Sequence, residues 1–342
     1  MEEVGGIRVV HNHQPQWGGQ PEVALEFVQK IGDIDTADEP YIMYNIRDVC
    51  RDDEGNIYIL DSGNTRIQVF DPAGRYIRTI GRKGEGPGEF SRPTNLNIDS
   101  ENLLYIGDDY YFFVLDKYGR EIRKLAPYNN DARSRCRVLP DGKIVLGAYG
   151  MSNAGKERYD EILFCLFNIC DSEGKNLVNF GKPEVFEVEN NIYIYHDAPY
   201  ETDKDGNLLI AYRYRNKIEK CDSAGDVIFS FDRPLNFEET QFTGFSRYPN
   251  SISMGIGIDH RDRIWVVTII EQPPLWREEY FGPLRFRTEK KYTVFEIFSD
   301  DGILLGTVPF PDDMYMMRMC GDRLFLVDPD RISVSEYRIV DK

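Results

Sequence analysis

The chain has 342 residues, long enough for two ordinary domains or for one large domain with a substantial buried core. Aspartate and glutamate outnumber lysine and arginine by 58 to 41, which gives a formal net charge of −17. This balance argues against nucleic acid as a partner and against adsorption to anionic lipid, because both require a cationic surface. The 21 tyrosines and 20 phenylalanines are typical of a β-rich chain or of an aromatic binding surface.

The N-terminal segment shows no export or membrane signal. MEEVGGIRVV lacks the basic and apolar regions of a signal peptide, and no apolar run in the chain approaches the roughly 20 residues that span a bilayer. We therefore expect no membrane insertion. Two locations stay open: the cytoplasm, or an exported location whose signal peptide is absent from this chain.

The first clear pattern covers residues 52–81, DDEGNIYILDSGNTRIQVFDPAGRYIRTIG. Turn sequences alternate in it with short apolar segments. The turn DPAG at 71–74 combines a proline, which presets φ, with a glycine, which accepts positive φ. The pattern predicts three consecutive antiparallel strands.

The same unit recurs five more times along the chain. Its first turn and strand return as DSENLLYIGD, PDGKIVLGAY, DKDGNLLIAY, DHRDRIWVVT and CGDRLFLVDP. The matching apolar positions lie 40 to 64 residues apart: Ile57, Leu104, Ile144, Leu208, Ile264 and Leu324. Six four-stranded antiparallel units at this period predict an all-β fold, a six-bladed β-propeller forming a single domain over residues 1–342. The predicted blades span residues 41–81, 93–126, 133–181, 197–232, 250–309 and 314–340.

The last predicted blade has only three strands, which would leave an unpaired sheet edge. Near the N-terminus, EFVQKIGDID matches RYIRTIGRKG of the first repeat, with Ile31 aligned on Ile80. Residues 23–32 are therefore predicted to close the last blade as its fourth strand, by pairing with residues 332–339. Residues 1–22 form an N-terminal extension in this interpretation.

The glycine-rich stretch GRKGEGPGEF at 81–90 has the composition of a phosphate-binding loop. A Walker loop, however, needs G-K-[ST] running into a helix, whereas Lys83 precedes its glycine and strand patterns follow. Glu85 and Glu89 would also repel phosphate. We interpret the stretch as the connection between the first and second blades.

The first repeat resembles those of the NHL-type six-bladed propellers, which run D-x-x-G-x-[IL]-Y-V-x-D-x-x-N-x-R-I-Q-x-F. The match is close in the first blade, fair in the second and loose in the others. The wider order, with VVHNHQPQWGG ahead of the closing strand, resembles six-bladed propeller proteins of bacterial envelopes. This resemblance implies a periplasmic or extracellular location, and it specifies the fold better than the function.

In such a propeller, the first strand of each blade lines the central channel. Loops that follow the second strands, and loops that join blades, meet on one face, which we call the top face. Long loops on a rigid scaffold usually carry function, and tyrosine, tryptophan and arginine are the usual anchors of recognition surfaces. The alternative is that these side chains only pack the loops against the blades. The predicted ligand-binding residues are Tyr110, Tyr111, His196, Tyr212, Arg213, Tyr214, Arg215, Arg247, Tyr248, Trp276, Arg277 and Tyr280.

A long insertion in the fifth blade, residues 271–291, is predicted to fold over the mouth of the channel. It contains three prolines, which restrict φ, together with Trp276, Arg277 and Tyr280. These side chains would face a small anionic, aromatic or sugar-like ligand. The alternative is a structural clasp against the segment FTGFSRY.

The familiar catalytic and zinc motifs H-E-x-x-H and G-x-S-x-G do not occur. Of the four histidines, only His196 is expected on the top face, since His11 and His13 precede the closing strand and His260 lies in a turn on the opposite face. A three-histidine zinc site like that of the propeller lyases is therefore not expected. The six cysteines show no C-x-x-C spacing, and we interpret them as buried thiols. Disulfides stay open as the alternative, because the sequence alone does not pair them.

Two functions remain open. The first, which we favour, is a monomeric, non-catalytic propeller that binds a ligand or a protein partner on its top face without a cofactor. The second is a calcium-dependent hydrolase or lyase, since propeller lactonases hold calcium in the channel with Asp, Asn and Glu side chains. Arg47, Arg135 and Arg318 share the first strands and could neutralise these acids instead. The calcium candidates are Asp48, Asn95, Asp197, Asn250 and Asp313.

Overall fold

The structure, a computed structural model, describes residues 2–108, 111–126, 135–147, 151–154, 165–188, 191–239, 250–272 and 288–342. Within these ranges the chain forms six antiparallel blades and almost no helix. The predicted all-β, six-bladed propeller is confirmed. No helix in this part of the chain is long and apolar enough to cross a membrane.

Each blade has four strands, which follow one another from the centre of the ring outwards. Blade 1 contains β4 (Ile46–Arg51), β5 (Ile57–Asp61), β6 (Arg66–Phe70) and β7 (Tyr76–Ile80). Blade 2 contains β8 (Pro93–Ile98), β9 (Leu104–Asp108), β10 (Tyr111–Leu115) and β11 (Glu121–Leu125). Blade 3 contains β12 (Arg135–Val138), β13 (Ile144–Gly147), β15 (Phe167–Cys170) and β16 (Asn176–Phe180).

Blade 4 contains β19 (Tyr200–Thr202), β20 (Leu208–Ala211), β21 (Ile218–Cys221) and β22 (Val227–Phe231). Blade 5 contains β23 (Ser253–Ile258), β24 (Ile264–Ile269), β25 (Thr293–Phe298) and β26 (Leu304–Pro309). Blade 6 contains β27 (Met316–Cys320), β28 (Arg323–Val327), β29 (Val334–Asp341) and β3 (Val23–Ile31). The innermost strands contact one another around a closed ring, from β4 through β8, β12, β19 and β23 to β27 and back to β4.

An aspartate in the first turn fixes the repeat unit in three blades. The carboxylate of Asp52 accepts a hydrogen bond from the Tyr58 hydroxyl at 3.1 Å, and in blade 5 that of Asp259 accepts one from the Trp265 indole N–H at 2.9 Å. Tyr105 makes the same bond in blade 2. Because a buried polar group must be hydrogen-bonded, this pairing lets a large aromatic side chain occupy the second strand.

Apolar side chains of neighbouring blades pack against each other and form the core. Leu60 of blade 1 and Ile106 and Phe113 of blade 2 belong to one such cluster, and Trp265 of blade 5 packs with Leu326 of blade 6 in another. The six repeat positions named above lie at or next to the start of a second strand, and all six are buried. Burial of such side chains is the main force that holds the blades together.

The N-terminal strand closes the ring, as the sequence predicts. β3 pairs antiparallel with β29, in a register that runs from Val334 opposite Ile31 to Asp341 opposite Val23. This pairing gives blade 6 its fourth strand and covers the edge that β29 would otherwise expose.

A second attachment of the N-terminus was not predicted. β1 (Glu2–Val4) and β2 (Ile7–Val10) form a hairpin, and β2 runs parallel to β22 at the outer edge of blade 4. The next residues cross blade 5, where the side-chain oxygen of Asn12 accepts the N–H of Leu304 at 2.8 Å and the backbone N–H of Trp17 bonds Leu305 at 2.8 Å. The N-terminal strap, residues 2–31, therefore joins blades 4, 5 and 6.

A small extra sheet forms in the segments inserted within and after blade 3, where the sequence indicated only long loops. β14 (Met151–Ala154), β17 (Glu184–Val188) and β18 (Asn191–Tyr195) form it, with β18 in the centre. β14 lies in the loop after the second strand of blade 3, and the other two strands lie in the connection to blade 4. The insertion therefore has secondary structure of its own.

The glycine-rich stretch connects blades 1 and 2, as interpreted from the sequence. Gly81 has φ +79°, and a Cβ atom added there would lie 2.2 Å from the Phe90 ring. The carboxylate of Glu89 accepts the N–H of Gly86 at 3.0 Å and a bond from Arg82 at 2.7 Å. The carboxylate of Glu89 thus holds the connection together and already occupies the donors of Arg82 and Gly86.

Candidate functional site

The innermost strands of all six blades enclose a cavity of about 380 Å³ near the ends at which these strands begin. A cavity of this size suits a small organic molecule. Its lining residues are Arg47, Asp48, Arg92, Thr94, Asn95, Arg135, Arg137, Pro199, Tyr200, Arg213, Met254, Gly255, Ile256, Tyr315, Met316 and Met317.

Positive charge dominates this lining. Arginines from blades 1 to 4 face the cavity, and Asp48 is the one acidic residue among the described lining residues. The protein as a whole carries a net charge of −17, whereas cationic side chains outnumber acidic ones in this lining. A concentration of like charge on low-dielectric walls focuses the electric field and attracts counter-ions. The five arginines are Arg47, Arg92, Arg135, Arg137 and Arg213.

Two of these arginines have no acidic partner in the part of the chain that the structure describes. No carboxylate in the described ranges lies within ion-pair distance of the guanidinium of Arg47 or Arg135. The Nη1 of Arg47 donates to the hydroxyl of Tyr315 at 3.2 Å, while its buried Nε has no hydrogen-bond partner. A guanidinium that is partly removed from water and left unpaired favours binding of an anion.

A buried ion network lies next to the lining residue Arg137. The Nε of Arg137 contacts one carboxylate oxygen of Glu201 at 2.7 Å, and the Nη1 of Arg318 lies 3.7 Å from the other oxygen. Burial opposes ionisation of Glu201, but the two arginines outweigh it and lower the pKa of the carboxyl group. Glu201 therefore balances one of two cations, and the network keeps a net positive charge.

Asp48 has a structural role at this position. One of its carboxylate oxygens accepts the N–H of Val49 at 2.9 Å, and the other accepts the N–H of Leu96 at 3.1 Å. The side chain thereby links the innermost strands of blades 1 and 2. Backbone donors hold both oxygens, which makes Asp48 a poor base and a poor metal ligand as it stands.

The opposite wall of the cavity is apolar. Met254 and Ile256 on blade 5 and Tyr315, Met316 and Met317 at blade 6 form it. Methionine is flexible and polarizable, so such a wall adapts to the shape of an apolar ligand.

Arg213 joins the cationic and apolar walls. Its Nε pairs with the carboxylate of Asp197 at 2.8 Å, and its Nη1 contacts the sulfur of Met254 at 3.0 Å. It is the one described member of the predicted ligand-binding set that lines the cavity.

The neighbours of Arg213 in YRYR have other contacts. The hydroxyl of Tyr212 donates to Glu219 at 2.6 Å, and the ring of Tyr214 packs edge-on against Tyr195 at 5.0 Å. The guanidinium of Arg215 lies 4.7 Å from the ring centre of Phe186. These three side chains pack against neighbouring residues and do not line the cavity. This agrees with the alternative interpretation of the sequence, in which such side chains only pack the loops against the blades.

The remaining predicted site residues lie away from the cavity or outside the described residues. Tyr111 is exposed on β10 with the Lys124 ammonium 4.0 Å above its ring, and His196 is buried, which lowers the pKa of its imidazole. The predicted cover over the channel, residues 271–291, is described only at its two ends. The predicted residues outside the described ranges are Tyr110, Arg247, Tyr248, Trp276, Arg277 and Tyr280.

Both described ends of that insertion are attached beside the apolar wall. The side chain of Gln272 donates to the backbone of Ser251 at 2.8 Å, shortly before Met254 in the chain. Thr288 and Met314 exchange backbone hydrogen bonds at 2.8 and 2.9 Å, next to Tyr315. The insertion therefore leaves blade 5 and returns to it beside the cavity.

The calcium candidates are spread over several environments. Asp48 and Asn95 line the cavity, Asp197 pairs with Arg213, the amide of Asn250 donates to Glu238, and Asp313 accepts the N–H of Lys290. In the described ranges, no three His, Cys, Asp or Glu side chains are grouped as a metal site. The six cysteines are free thiols, four of them buried.

Sequence reasoning did not identify the cationic wall as the site. It noted Arg47, Arg135 and Arg318 on the innermost strands, but only as partners for the acids. The available signal was the presence of an arginine in the first strand of several repeats of a strongly acidic chain. In addition, Arg135 and Arg137 are two residues apart, which places both side chains on one face of β12.

Several solved structures are similar to this chain over most of its length. A member of the DUF4221 family from Bacteroides vulgatus is 11% identical, with 94% of this chain and 99% of that chain covered and a TM-score of 0.61. A putative exported protein from Bacteroides fragilis is 12% identical, with coverage of 98% and 99% and a TM-score of 0.56. A streptogramin B lyase is 10% identical, with coverage of 96% and 100% and a TM-score of 0.50. At such identities the likeness concerns the fold alone.

The family is shown by the sequence. No curated protein matches the chain significantly. A family model described as 6-bladed beta-propeller matches residues 33–255, which is more than half of the chain. The NHL-type resemblance of the first repeat stays a prediction. The chain belongs to this family of six-bladed β-propellers, DUF5128.

Proposed function

We propose that this protein is a non-catalytic propeller that binds a small anionic ligand in the cavity at the mouth of its central channel. The observation that carries the proposal is the lining itself, with five arginines against one aspartate in a protein of net charge −17. Arginine presents forked donors that match carboxylate, phosphate and sulfate groups. A bound anion would supply the partner that Arg47 and Arg135 lack among the described residues.

The cavity lining favours binding over catalysis. Its described residues include no histidine, cysteine, serine or glutamate, and its one carboxylate, Asp48, already accepts two backbone N–H groups. A general base or a nucleophile needs a free reactive atom within reach of the substrate. The arginines would also repel calcium, so the alternative of a calcium-dependent hydrolase or lyase has less support.

Isothermal titration calorimetry with inorganic phosphate and with citrate, at low ionic strength and pH 7.5, tests the proposal. The variant Arg47→Gln/Arg135→Gln removes two guanidinium groups without leaving a carboxylate unpaired. A hydrogen bond to a charged group contributes about 1.5–3 kcal/mol, so loss of two weakens binding about 100-fold or more. The matched control is Arg75→Gln, an exposed arginine paired with Asp71 in a turn of blade 1.

The proposal fails if the wild-type protein shows no saturable binding of either anion, or if the double variant binds both as well as the control does. A parallel titration with CaCl₂ addresses the alternative function. Tight calcium binding that Asp48→Asn abolishes would favour the enzyme.

We further propose that the protein acts in the bacterial periplasm or outside the cell, as the envelope resemblance implies. One structural neighbour is described as a putative exported protein, which supports this location for a related fold. Cell fractionation with the native gene, together with the sequence upstream of Met1, provides the test. A native start at Met1 and recovery in the cytoplasm would contradict the proposal.

A further inference from the structure

We infer that the ligand is amphipathic, with one anionic group on an aryl or short acyl body that lies against the apolar wall. This inference rests on the proposed function, because it assigns the class of anion that the cavity takes. The division of the lining into a cationic side and an apolar side carries it.

The two sides are contiguous around the ring. The lining arginines come from blades 1 to 4, which are consecutive neighbours, and the apolar residues come from blades 5 and 6. Polar and apolar groups therefore do not alternate around the cavity, and a ligand meets charge on one side and methionine on the other. A molecule with the same division in one orientation satisfies both sides at once.

Glycines in the innermost strand of blade 5 allow the apolar wall to form. A Cβ atom at Gly257 would lie 2.9 Å from the Cβ of Met319 and 3.1 Å from the Cε of Met317. At Gly255 it would lie 3.4 Å from the Cγ of Met317. Larger residues at these positions would push the methionines of blade 6 away, so close packing of the two innermost strands depends on glycine.

Other ligand classes satisfy only part of the lining. An inorganic anion pairs with the arginines but leaves the methionine wall in contact with water. A neutral sugar would lose hydrogen bonds to water along the methionine wall, and a neutral apolar molecule would leave the arginines unpaired. An aryl or acyl carboxylate, or a phosphate monoester, meets both requirements.

Calorimetry with phenyl phosphate, inorganic phosphate and phenol separates these requirements. The wild-type protein is expected to bind phenyl phosphate at least about 10-fold more tightly than inorganic phosphate, because the ring buries apolar surface against the wall. Binding of phenol is expected to be too weak to measure. Met316→Gln, a near-isosteric polar change, is expected to reduce the preference for phenyl phosphate over inorganic phosphate at least about threefold.

Two further variants make the result decisive. Met254→Gln repeats the change on blade 5, and Ile77→Gln makes an apolar-to-amide change at an exposed position of β7 as the control. If phenyl phosphate binds no more tightly than inorganic phosphate, or if neither methionine variant alters the preference, the inference is wrong while the proposed function stands. If none of the anions binds, both are wrong.

Discussion

Replacement of Glu184 by glutamine is expected to remove a pH-dependent loss of stability. Glu184 lies in β17 and is 5% exposed, and one of its carboxylate oxygens accepts the N–H of Tyr214 at 3.1 Å. The other oxygen has no hydrogen-bond partner. Burial raises the pKa of this carboxyl to about 7, although Arg215 and Arg213 favour its ionised form and Asp197 disfavours it.

The magnitude follows from proton linkage. In the unfolded chain the pKa of the glutamate is near its ordinary value of 4.5, so between pH 4.5 and 7 the unfolded state ionises while the folded state keeps its proton. Because of this one group, the free energy of unfolding falls as the pH rises from 4.5, and the reduction is complete above pH 7. At about 1.36 kcal/mol per pKa unit, the total loss is about 3 kcal/mol.

Urea denaturation of the wild type and of Glu184→Gln, from pH 4.5 to 8, measures this loss. Glutamine does not titrate and can still accept the N–H of Tyr214. The free energy of unfolding of Glu184→Gln, relative to that of the wild type, is therefore expected to rise by about 3 kcal/mol across the range. Asp203→Asn is the control. Burial of Asp203 is outweighed by hydrogen bonds from Lys220 and Asn207, which lower its pKa, so any cost of this variant is constant over the range. A constant difference between Glu184→Gln and wild type would refute the reasoning.

Two further predictions concern the ring. Deletion of residues 1–32 exposes the edge of β29 and is expected to cause aggregation, observed by size-exclusion chromatography. A soluble monomer with an unchanged melting temperature would contradict the closure as a source of stability. Gly81→Ala combines a strained φ with a clash against Phe90 and is expected to cost about 2 kcal/mol or more. Gly142→Ala, with a similar φ and open space, is expected to cost about half as much, and equal losses in urea denaturation would show that the Phe90 contact is unimportant.

The fold was predictable because its signals are local and repeated. A turn sequence followed by apolar residues such as Ile57 or Leu104 specifies a hairpin, and six copies specify the ring. The attachment of the N-terminal hairpin to blade 4 was missed because β2 pairs with β22 across more than 200 residues, and a parallel edge pairing leaves no turn signal.

The site was harder to predict because a cavity depends on the direction of each side chain. In YRYR, Tyr212 and Tyr214 turn into packed clusters while Arg213 between them reaches the cavity. The sequence shows four candidates there, and only the local backbone distinguishes them. For the same reason the cationic wall, built from one or two residues of each of four blades, has no contiguous motif.

Closure by the N-terminal strand affects how the protein folds during synthesis. About 300 residues separate Ile31 from its partner Val334, so β3 leaves the ribosome roughly 15 to 60 s before β29 at 5–20 residues per second. During this interval the apolar side chains of Val23 and Ile31 have no strand to pair with, while blades 1 to 5 are already being made. Blade 6 is therefore completed last, and an early-made strand must stay unpaired until then. An unpaired strand of this kind is a site at which the incomplete chain is prone to aggregate.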